Sequence, residues 1–350
     1  MEKVNLYLKE AVDSGADYLI VIAGKQMSIK KNGVVSHMSD KKLTPADTSE
    51  LIKGLYDLAD RTIPDKLERW DDNFSWSIPS LARFRVNSFM QRGSLAMIVR
   101  IIRFAIPDYH ELGIPDEIIE LSDQDNGLVV VTGPSSCGKS TTIATMIEQI
   151  NKNKNNMIVT IEDPIEFLFR NKESIIYQRE ISMDTSSYST ALRASVRQIP
   201  DVIMLSELAG QDTLETVILA AEAGKLVISS MNTIGAVSTL IRLIQSLPGD
   251  VQKSSIQLAP VLKAIVYQQL ILNNAGERIP VFEVLKVTDH IQDLIRSYNT
   301  KEIGTLLAQE KYGMTSMDES LLRLYSQGKI DKGALIRYSL NKDYVKNKIS

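Results

Sequence analysis

The sequence predicts an α/β protein in which a smaller α+β domain precedes a phosphate-loop domain with a parallel-sheet core, and helices follow that core. Three observations support this fold class. In the middle of the chain, short apolar runs alternate with helical stretches, as expected for a parallel sheet covered by helices on both faces. A phosphate-loop motif follows the first of these runs. The length of 350 residues exceeds that of one typical domain.

The first hundred or so residues carry signals of both helices and strands. Residues 3–14 have the spacing of a short amphipathic helix, and Thr44-Pro45 predicts the start of a second helix. Asn32-Gly33 is a strong hairpin signal. Strands are expected at residues 17–22, 27–31, 74–78, 82–89 and 95–102. These elements predict an N-terminal α+β domain over residues 1–105.

Proline and glycine mark residues 106–120 as a linker into the second domain, which is expected over residues 121–288. Its parallel strands are expected at residues 128–132, 157–161, 201–205 and 226–230. Further on, residues 264–272 read as a helix or a strand, and residues 279–287 read as a strand. Residues 289–350 form a helical region whose apolar stripe docks either on the sheet domain or on a neighbouring subunit.

The segment from Gly133 to Ser140 fits the phosphate-loop pattern Gly-x-x-x-x-Gly-Lys-Ser/Thr between a buried strand and a helix. Gly133 and Gly138 allow a tight turn whose N–H groups point at phosphate oxygens. Lys139 is expected to reach the β and γ phosphates, and the Ser140 hydroxyl to ligate magnesium, so ATP and Mg²⁺ are the predicted cofactors. The predicted nucleotide-binding residues are Gly133, Pro134, Ser135, Ser136, Cys137, Gly138, Lys139, Ser140 and Thr141.

Carboxylates end two of the predicted strands that follow this loop. Glu162-Asp163-Pro164 ends one strand, and Glu207 follows another. Nucleotide hydrolysis needs one acidic group to hold magnesium and a second to orient or deprotonate the attacking water. A helix start at Asp163-Pro164 is the alternative interpretation, because Asp followed by Pro is also a capping signal. Two acidic strand ends in one phosphate-loop domain favour a catalytic role, without deciding which carboxylate has which task.

The composition restricts the classes of partner. The formal net charge of −3 gives no global reason to expect a nucleic-acid ligand. Because Cys137 is the single cysteine, the chain cannot form an internal disulfide, which fits a reducing compartment. We interpret Cys137 as a small residue whose side chain is incidental to phosphate binding, in preference to a redox sensor. No segment approaches the ~20 consecutive apolar residues that span a bilayer. We therefore expect a cytoplasmic protein that can dock on a membrane-bound partner.

Arginines form a further pattern in the N-terminal domain. Arg83 and Arg85 are two residues apart and so project from one face of a strand, and Arg100 lies on its expected neighbour. From the residues alone, an ordinary solvated face is the better interpretation.

Segments along nearly the whole chain resemble successive motifs of the secretion ATPases. They are residues 15–17, 82–87, 133–142, 160–167, 177–180, 191–201, 221–224, 262–270 and 314–321. Within this superfamily the sequence is most similar to the type IV pilus retraction ATPases, the PilT/PilU family. Residues 290–296 also resemble the C-terminal motif that this family uses for retraction.

The resemblance implies a homohexameric ring in which the PAS-like N-terminal domain of one subunit packs on the RecA-like domain of the next. Arg85 and Arg100 would then reach the phosphates of the neighbouring subunit, which changes the interpretation of that face. The family pattern makes Glu162 the general base. It places Glu207 in the Walker B position, where it supports magnesium together with Ser140.

Two departures from the family pattern concern the catalytic end of the site. The Walker B run Gly-Glu-x-Arg-Asp reads Ser206-Glu207-Leu-Ala209-Gly210 here, and Asn232 stands where the family has a histidine. Lys225 also replaces a histidine. Asn232 keeps hydrogen-bonding capacity but cannot take up a proton. Because the arginine and the aspartate are lost together, no charge is left unpaired, so we expect folding and nucleotide binding to be intact and sensing or coupling to be altered.

The sequence therefore leads to a primary hypothesis and two alternatives. The first is a hexameric ATPase that drives type IV pilus retraction by acting on an inner-membrane platform protein from the cytoplasmic side. Its rate of ATP hydrolysis is either normal for the family or reduced. The second is a weakly active or inactive nucleotide-binding accessory subunit that works with a paralogous retraction ATPase. The third is a motor of a related type II or type IV secretion or DNA-uptake system.

Overall fold

The computed structural model describes residues 2–31, 33–63, 71–79, 81–102, 106–208 and 210–349. Ala209, one of the departures from the family pattern, and Asn32 of the predicted hairpin lie outside the described residues. The chain divides into two compact units, residues 1–105 and 106–350. Within the described ranges, no helix combines the length and apolar character needed to cross a membrane.

The described residues of the N-terminal unit form a six-stranded sheet and two helices. The helices are α1 (Glu2–Asp13) and α2 (Pro45–Leu58). The strands are β1 (Tyr18–Val21), β2 (Gln26–Lys31), β3 (Val34–Lys42), β4 (Asp71–Ile78), β5 (Ala82–Gln91) and β6 (Ser94–Ile102). They lie in the order β3-β2-β1-β6-β5-β4, with each neighbouring pair antiparallel. Thr44 caps α2 through a capping box with Asp47, so the predicted start of this helix is confirmed.

The second unit contains a seven-stranded sheet. Its strands are β7 (Gly127–Thr132), β8 (Met157–Glu162), β9 (Ile175–Glu180), β10 (Val202–Leu205), β11 (Leu226–Met231), β12 (Leu262–Leu272) and β13 (Arg278–Lys286). The order is β13-β12-β7-β11-β10-β8-β9. All neighbours are parallel except β12 and β13, which form an antiparallel pair at one edge. The predicted parallel core is confirmed, and the segment left open between helix and strand is strand β12.

Helices cover both faces of this sheet. They are α3 (Asp116–Ile119), α4 (Lys139–Asn153), α5 (Tyr188–Val196), α6 (Gln211–Glu222), α7 (Ala236–Ser246) and α8 (Val251–Leu258). Strand β7 shows the two-sided burial: Leu128 and Val130 belong to one apolar core, whereas Val129 and Val131 belong to another. Successive side chains of a strand point to opposite faces, so a strand buried on both faces reads as one continuous apolar run.

The C-terminal helices pack on the sheet of the same unit. They are α9 (Asp289–Arg296), α10 (Thr300–Ala308), α11 (Met317–Ser326), α12 (Lys332–Tyr338) and α13 (Lys342–Lys348). Leu321, Leu335 and Val345 from α11, α12 and α13 form one apolar cluster with Tyr267 and Val281 of β12 and β13. Of the two docking faces considered for the apolar stripe, the structure therefore places α11 to α13 on the sheet.

Candidate nucleotide-binding site

The phosphate loop connects β7 to α4, and its backbone requires glycine at two points. Gly138 has a φ of 93° at the N-terminus of α4, and no side chain caps this helix. Gly133 has a φ of 152°, and a Cβ there would lie 2.3 Å from the carbonyl oxygen of Gln268 and 2.6 Å from Cys137 Sγ. Backbone N–H groups at the start of an uncapped helix are the donors that bind phosphate. The loop therefore has the geometry of an anion-binding site.

Lys139 is the best-defined cation of the site. The residue is 9% exposed, and its ammonium group donates to the carbonyl oxygens of Gly133 at 2.9 Å and Pro134 at 3.0 Å. It donates a third hydrogen bond to Asn232 Oδ1 at 2.9 Å. An ammonium group has three donors, so in this structure the protein satisfies all of them. A phosphate that enters the loop must replace at least one of these three acceptors.

Asn232 joins the lysine to an acidic side chain. Its Nδ2 donates to Glu207 Oε1 at 2.8 Å, which gives a continuous hydrogen-bonded chain Lys139–Asn232–Glu207. Glu207 follows β10 and Asn232 follows β11, which are neighbouring parallel strands, so their carboxyl ends meet at one edge of the sheet. The structure therefore brings together three of the residues that the sequence identified as candidates.

Glu162, the last residue of β8, is 3% exposed, and its carboxylate accepts three hydrogen bonds. Thr160 Oγ1 and Gln178 Nε2 donate to its Oε1 at 2.6 and 3.1 Å, and the Glu166 N–H donates to its Oε2 at 3.3 Å. Burial raises the pKa of Glu162 to about 7, although these hydrogen bonds act in the opposite direction. A carboxyl with a pKa near 7 is suited to accept a proton from water at neutral pH.

No helix begins at Asp163-Pro164, so the capping interpretation of this dipeptide is wrong. Glu162 instead lines a pocket together with Ser140 and Ser206. The Ser206 hydroxyl, which stands where the family pattern has glycine, accepts from the Asp163 N–H at 3.2 Å. It also lies 2.6 Å from the Tyr188 hydroxyl. Ser206 thus ties the acidic segment after β8 to the end of β10.

The two candidate arginines belong to the N-terminal unit. Arg85 and Arg100 lie directly opposite each other in the antiparallel pair β5–β6, and both are partly buried. Arg83 and Arg85 share one face of β5, as their spacing predicts. Their proposed action on a neighbouring subunit remains a prediction.

Two polar side chains that contact the site have no role in the sequence-based account. Gln268 accepts from Thr142 Oγ1 at 2.8 Å and donates to the Cys137 carbonyl oxygen at 2.8 Å. Gln178 holds Glu162 from the adjacent strand β9. For Gln268 the available signal is a polar residue within a mainly apolar strand, since buried polar groups are almost always hydrogen-bonded.

The magnesium ligands that the sequence predicts are the Ser140 hydroxyl and the Glu207 carboxylate. Both are hard oxygen donors, the kind that Mg²⁺ prefers, and Mg²⁺ is usually held by one or two side chains together with substrate phosphates. The residues present therefore fit a nucleotide-bound magnesium ion. Among the described residues, no three His, Cys, Asp or Glu side chains gather into a group that could hold a metal.

Comparison with known proteins gives consistent matches. The family model described as "Type II/IV secretion system protein" matches residues 1–331. The type IV pilus ATPase PilU of Pseudomonas aeruginosa is 36% identical over 326 residues, which cover 92% of this chain and 85% of PilU. The retraction ATPase PilT of the same organism is 33% identical over 322 residues, or 91% of this chain and 92% of PilT. A crystal structure of the pilus retraction motor PilT with bound ADP superposes with a TM-score of 0.88 at 34% identity and covers 98% of each chain.

Proposed function

Because the chain belongs to the type II/IV secretion system protein family, we propose that it is an ATPase motor that drives the retraction of type IV pili. The observation that carries this proposal is the phosphate loop, whose buried Lys139 and uncapped helix N-terminus lie at the sheet edge that also holds Glu207. Glu162 lies on a pocket that also reaches Ser140. Phosphate binding, magnesium support and proton acceptance are thereby assigned to neighbouring groups.

The residues of this chain act on ATP in distinct ways. The loop N–H groups and the Lys139 ammonium bind the phosphates and neutralise their charge. Ser140 and Glu207 would hold a magnesium ion, which would supply Lewis-acid stabilisation of the charge that develops on the phosphate oxygens. Glu162 orients the attacking water and accepts its proton, for which its raised pKa is suited. Arg85 and Arg100 of an adjacent subunit stabilise the transition state, as arginine fingers do.

The functional assembly that we propose is a homohexamer at the inner face of the cell membrane. Its partner is the inner-membrane platform protein of the pilus, and a paralogous retraction ATPase is a further partner. The similarity to PilT and PilU along most of the chain supports this assignment.

A second candidate function is that of a nucleotide-binding accessory subunit. Asn232 favours it, since an amide cannot accept the proton that a histidine at this position could take. The same amide ties Lys139 to Glu207 before nucleotide binds. In this case ATP stabilises a ring whose mechanical work is done by a paralogue.

Replacement of the chromosomal gene by its Glu162→Gln variant, which keeps the ATP-binding loop and removes the proton acceptor, distinguishes the two functions, with a deletion strain as the comparison. For a motor, Glu162→Gln and the deletion should both leave pili extended and abolish twitching, at an unchanged protein level for the variant. For an accessory subunit, the deletion should be defective and Glu162→Gln should still retract. Normal retraction in the deletion strain would contradict both functions.

A further inference from the structure

We propose that Gln268 is a positioning residue that holds the phosphate loop in the conformation required for nucleotide binding. The inference rests on the proposed function, because it concerns the same ATP site. Gln268 lies on β12, on the side of the loop away from the strand-end acids, and is 3% exposed. It contacts both the loop and the first turn of α4.

The amide uses both of its functional groups. Gln268 Nε2 donates to the carbonyl oxygen of Cys137 at 2.8 Å, and Oε1 accepts from the Thr142 hydroxyl at 2.8 Å. The Cys137 carbonyl needs a donor, which fixes the orientation of the amide. One side chain thereby joins the last part of the loop to the helix that follows it.

The bond to Cys137 determines where an adjacent N–H group points. In a trans peptide the C=O of one residue and the N–H of the next point in opposite directions. Because the Cys137 carbonyl is directed at Gln268, the Gly138 N–H is directed away from β12, to the side where loop N–H groups bind phosphate. Without this donor the peptide could rotate and present its carbonyl oxygen to the phosphate, where it would be repelled.

Close packing against Gln268 also constrains the backbone of the loop at both of its glycines. A Cβ at Gly138 would lie 2.9 Å from Gln268 Nε2, and a Cβ at Gly133 would lie 2.3 Å from the Gln268 carbonyl oxygen. Both glycines of the motif are therefore adjacent to this one residue. The sequence requirement for glycine at these positions is partly a requirement for close contact with Gln268.

Gln269 provides a matched control on the same strand. Its side chain makes a hydrogen bond of the same kind, from Nε2 to the Tyr338 carbonyl oxygen at 2.9 Å, which links β12 to α12 and not to the loop. Gln268→Leu and Gln269→Leu each remove a side-chain amide that donates to a backbone carbonyl. Only the first removes a contact with the phosphate loop.

The test is a titration of the full-length protein with ADP and with AMP, beside thermal unfolding without nucleotide. We expect Gln268→Leu to weaken ADP binding about tenfold or more, since a buried carbonyl loses its donor and the loop relaxes. The ratio of ADP to AMP affinity should fall, because ADP places more phosphate in the loop. Gln269→Leu should keep ADP affinity within about twofold of wild type, as expected for a site without shared partners.

Gln268→Glu gives a second readout that does not depend on the stability of the leucine variant. Its carboxylate still accepts from Thr142 but presents an acceptor to the Cys137 carbonyl, unless it is protonated. Its ADP affinity relative to wild type should therefore fall as pH rises. Equal ADP affinities for wild type, Gln268→Leu and Gln268→Glu would overturn this inference and leave the proposed function standing. A loss of ADP affinity in Gln269→Leu equal to that in Gln268→Leu would have the same consequence. Failure of the wild-type protein to bind ADP would instead contradict the proposed function.

Discussion

Glu162→Gln should make the stability of this protein less dependent on pH. The folded state raises the pKa of Glu162 from 4.5 to about 7, chiefly by burial. The folded protein thus binds this proton more tightly than the unfolded chain does. Its contribution to stability is complete below pH 4.5 and is lost as pH rises through about 7. At about 1.4 kcal/mol per tenfold change in proton affinity, ionisation above pH 7 costs about 3 kcal/mol of unfolding free energy.

Glutamine at this position carries no ionisable proton. Its oxygen can keep the bonds from Thr160 and Gln178, whereas its NH₂ group faces the Glu166 N–H and loses a 3.3 Å bond. That loss costs about 1 kcal/mol. Glu162→Gln should therefore be about 1 kcal/mol less stable than wild type at pH 4.5 and about 2 kcal/mol more stable at pH 8.

The measurement is urea unfolding of nucleotide-free protein from pH 4.5 to 8, followed by far-ultraviolet circular dichroism at one protein concentration. Glu173→Gln, which removes an exposed carboxylate on the same domain, is the control for surface charge. Stability curves for wild type and Glu162→Gln that stay parallel over this pH range would refute the reasoning.

Two further predictions concern the phosphate loop and its link to Glu207. Gly133→Ala should weaken ADP binding about a hundredfold or more, because its Cβ would lie 2.3 Å from a backbone oxygen. Calorimetry should show no change for Gly304→Ala in α10, whose Cβ would make only an ordinary contact at 3.9 Å from Val237 Cγ2. Unchanged ADP affinity in Gly133→Ala would show that β12 does not constrain the loop. Asn232→Leu should lower ATP turnover about tenfold, because Glu207 loses its hydrogen-bond donor. Its ADP affinity should stay within about threefold of wild type, because Lys139 keeps its bonds to Gly133 and Pro134. Phosphate-release assays check this, and a large loss of ADP affinity would place Asn232 in binding instead.

The parts of the fold that sequence reasoning predicts well are those with strong local signals. The apolar run before Gly133 identifies β7, and the capping residues of α2 identify its start. Strand β9 carries no clear strand signal in the sequence, because its residues are half-exposed at the edge of the sheet and mix apolar with charged side chains. Strand β12 remained ambiguous, because a run that is buried on both faces has no periodicity that separates strand from helix.

The site was predictable in its parts and not in its connections. Glu162 and Glu207 could be found because each ends a strand of a parallel sheet. The bridge from Lys139 through Asn232 joins residues 93 positions apart, so no local pattern encodes it. The same holds for Gln268 and Thr142, which are 126 positions apart. Such contacts depend on strand order, which places β12 beside β7.

The most direct test of the central claim is the rate of magnesium-dependent phosphate release from ATP by the purified full-length chain. It is measured beside Glu162→Gln at the same protein concentration, with ATP binding confirmed for both. A working hydrolase predicts a wild-type rate about a hundredfold above that of the variant, the usual contribution of a general base. Equal rates for two proteins that both bind ATP would contradict the claim that this chain hydrolyses ATP on its own.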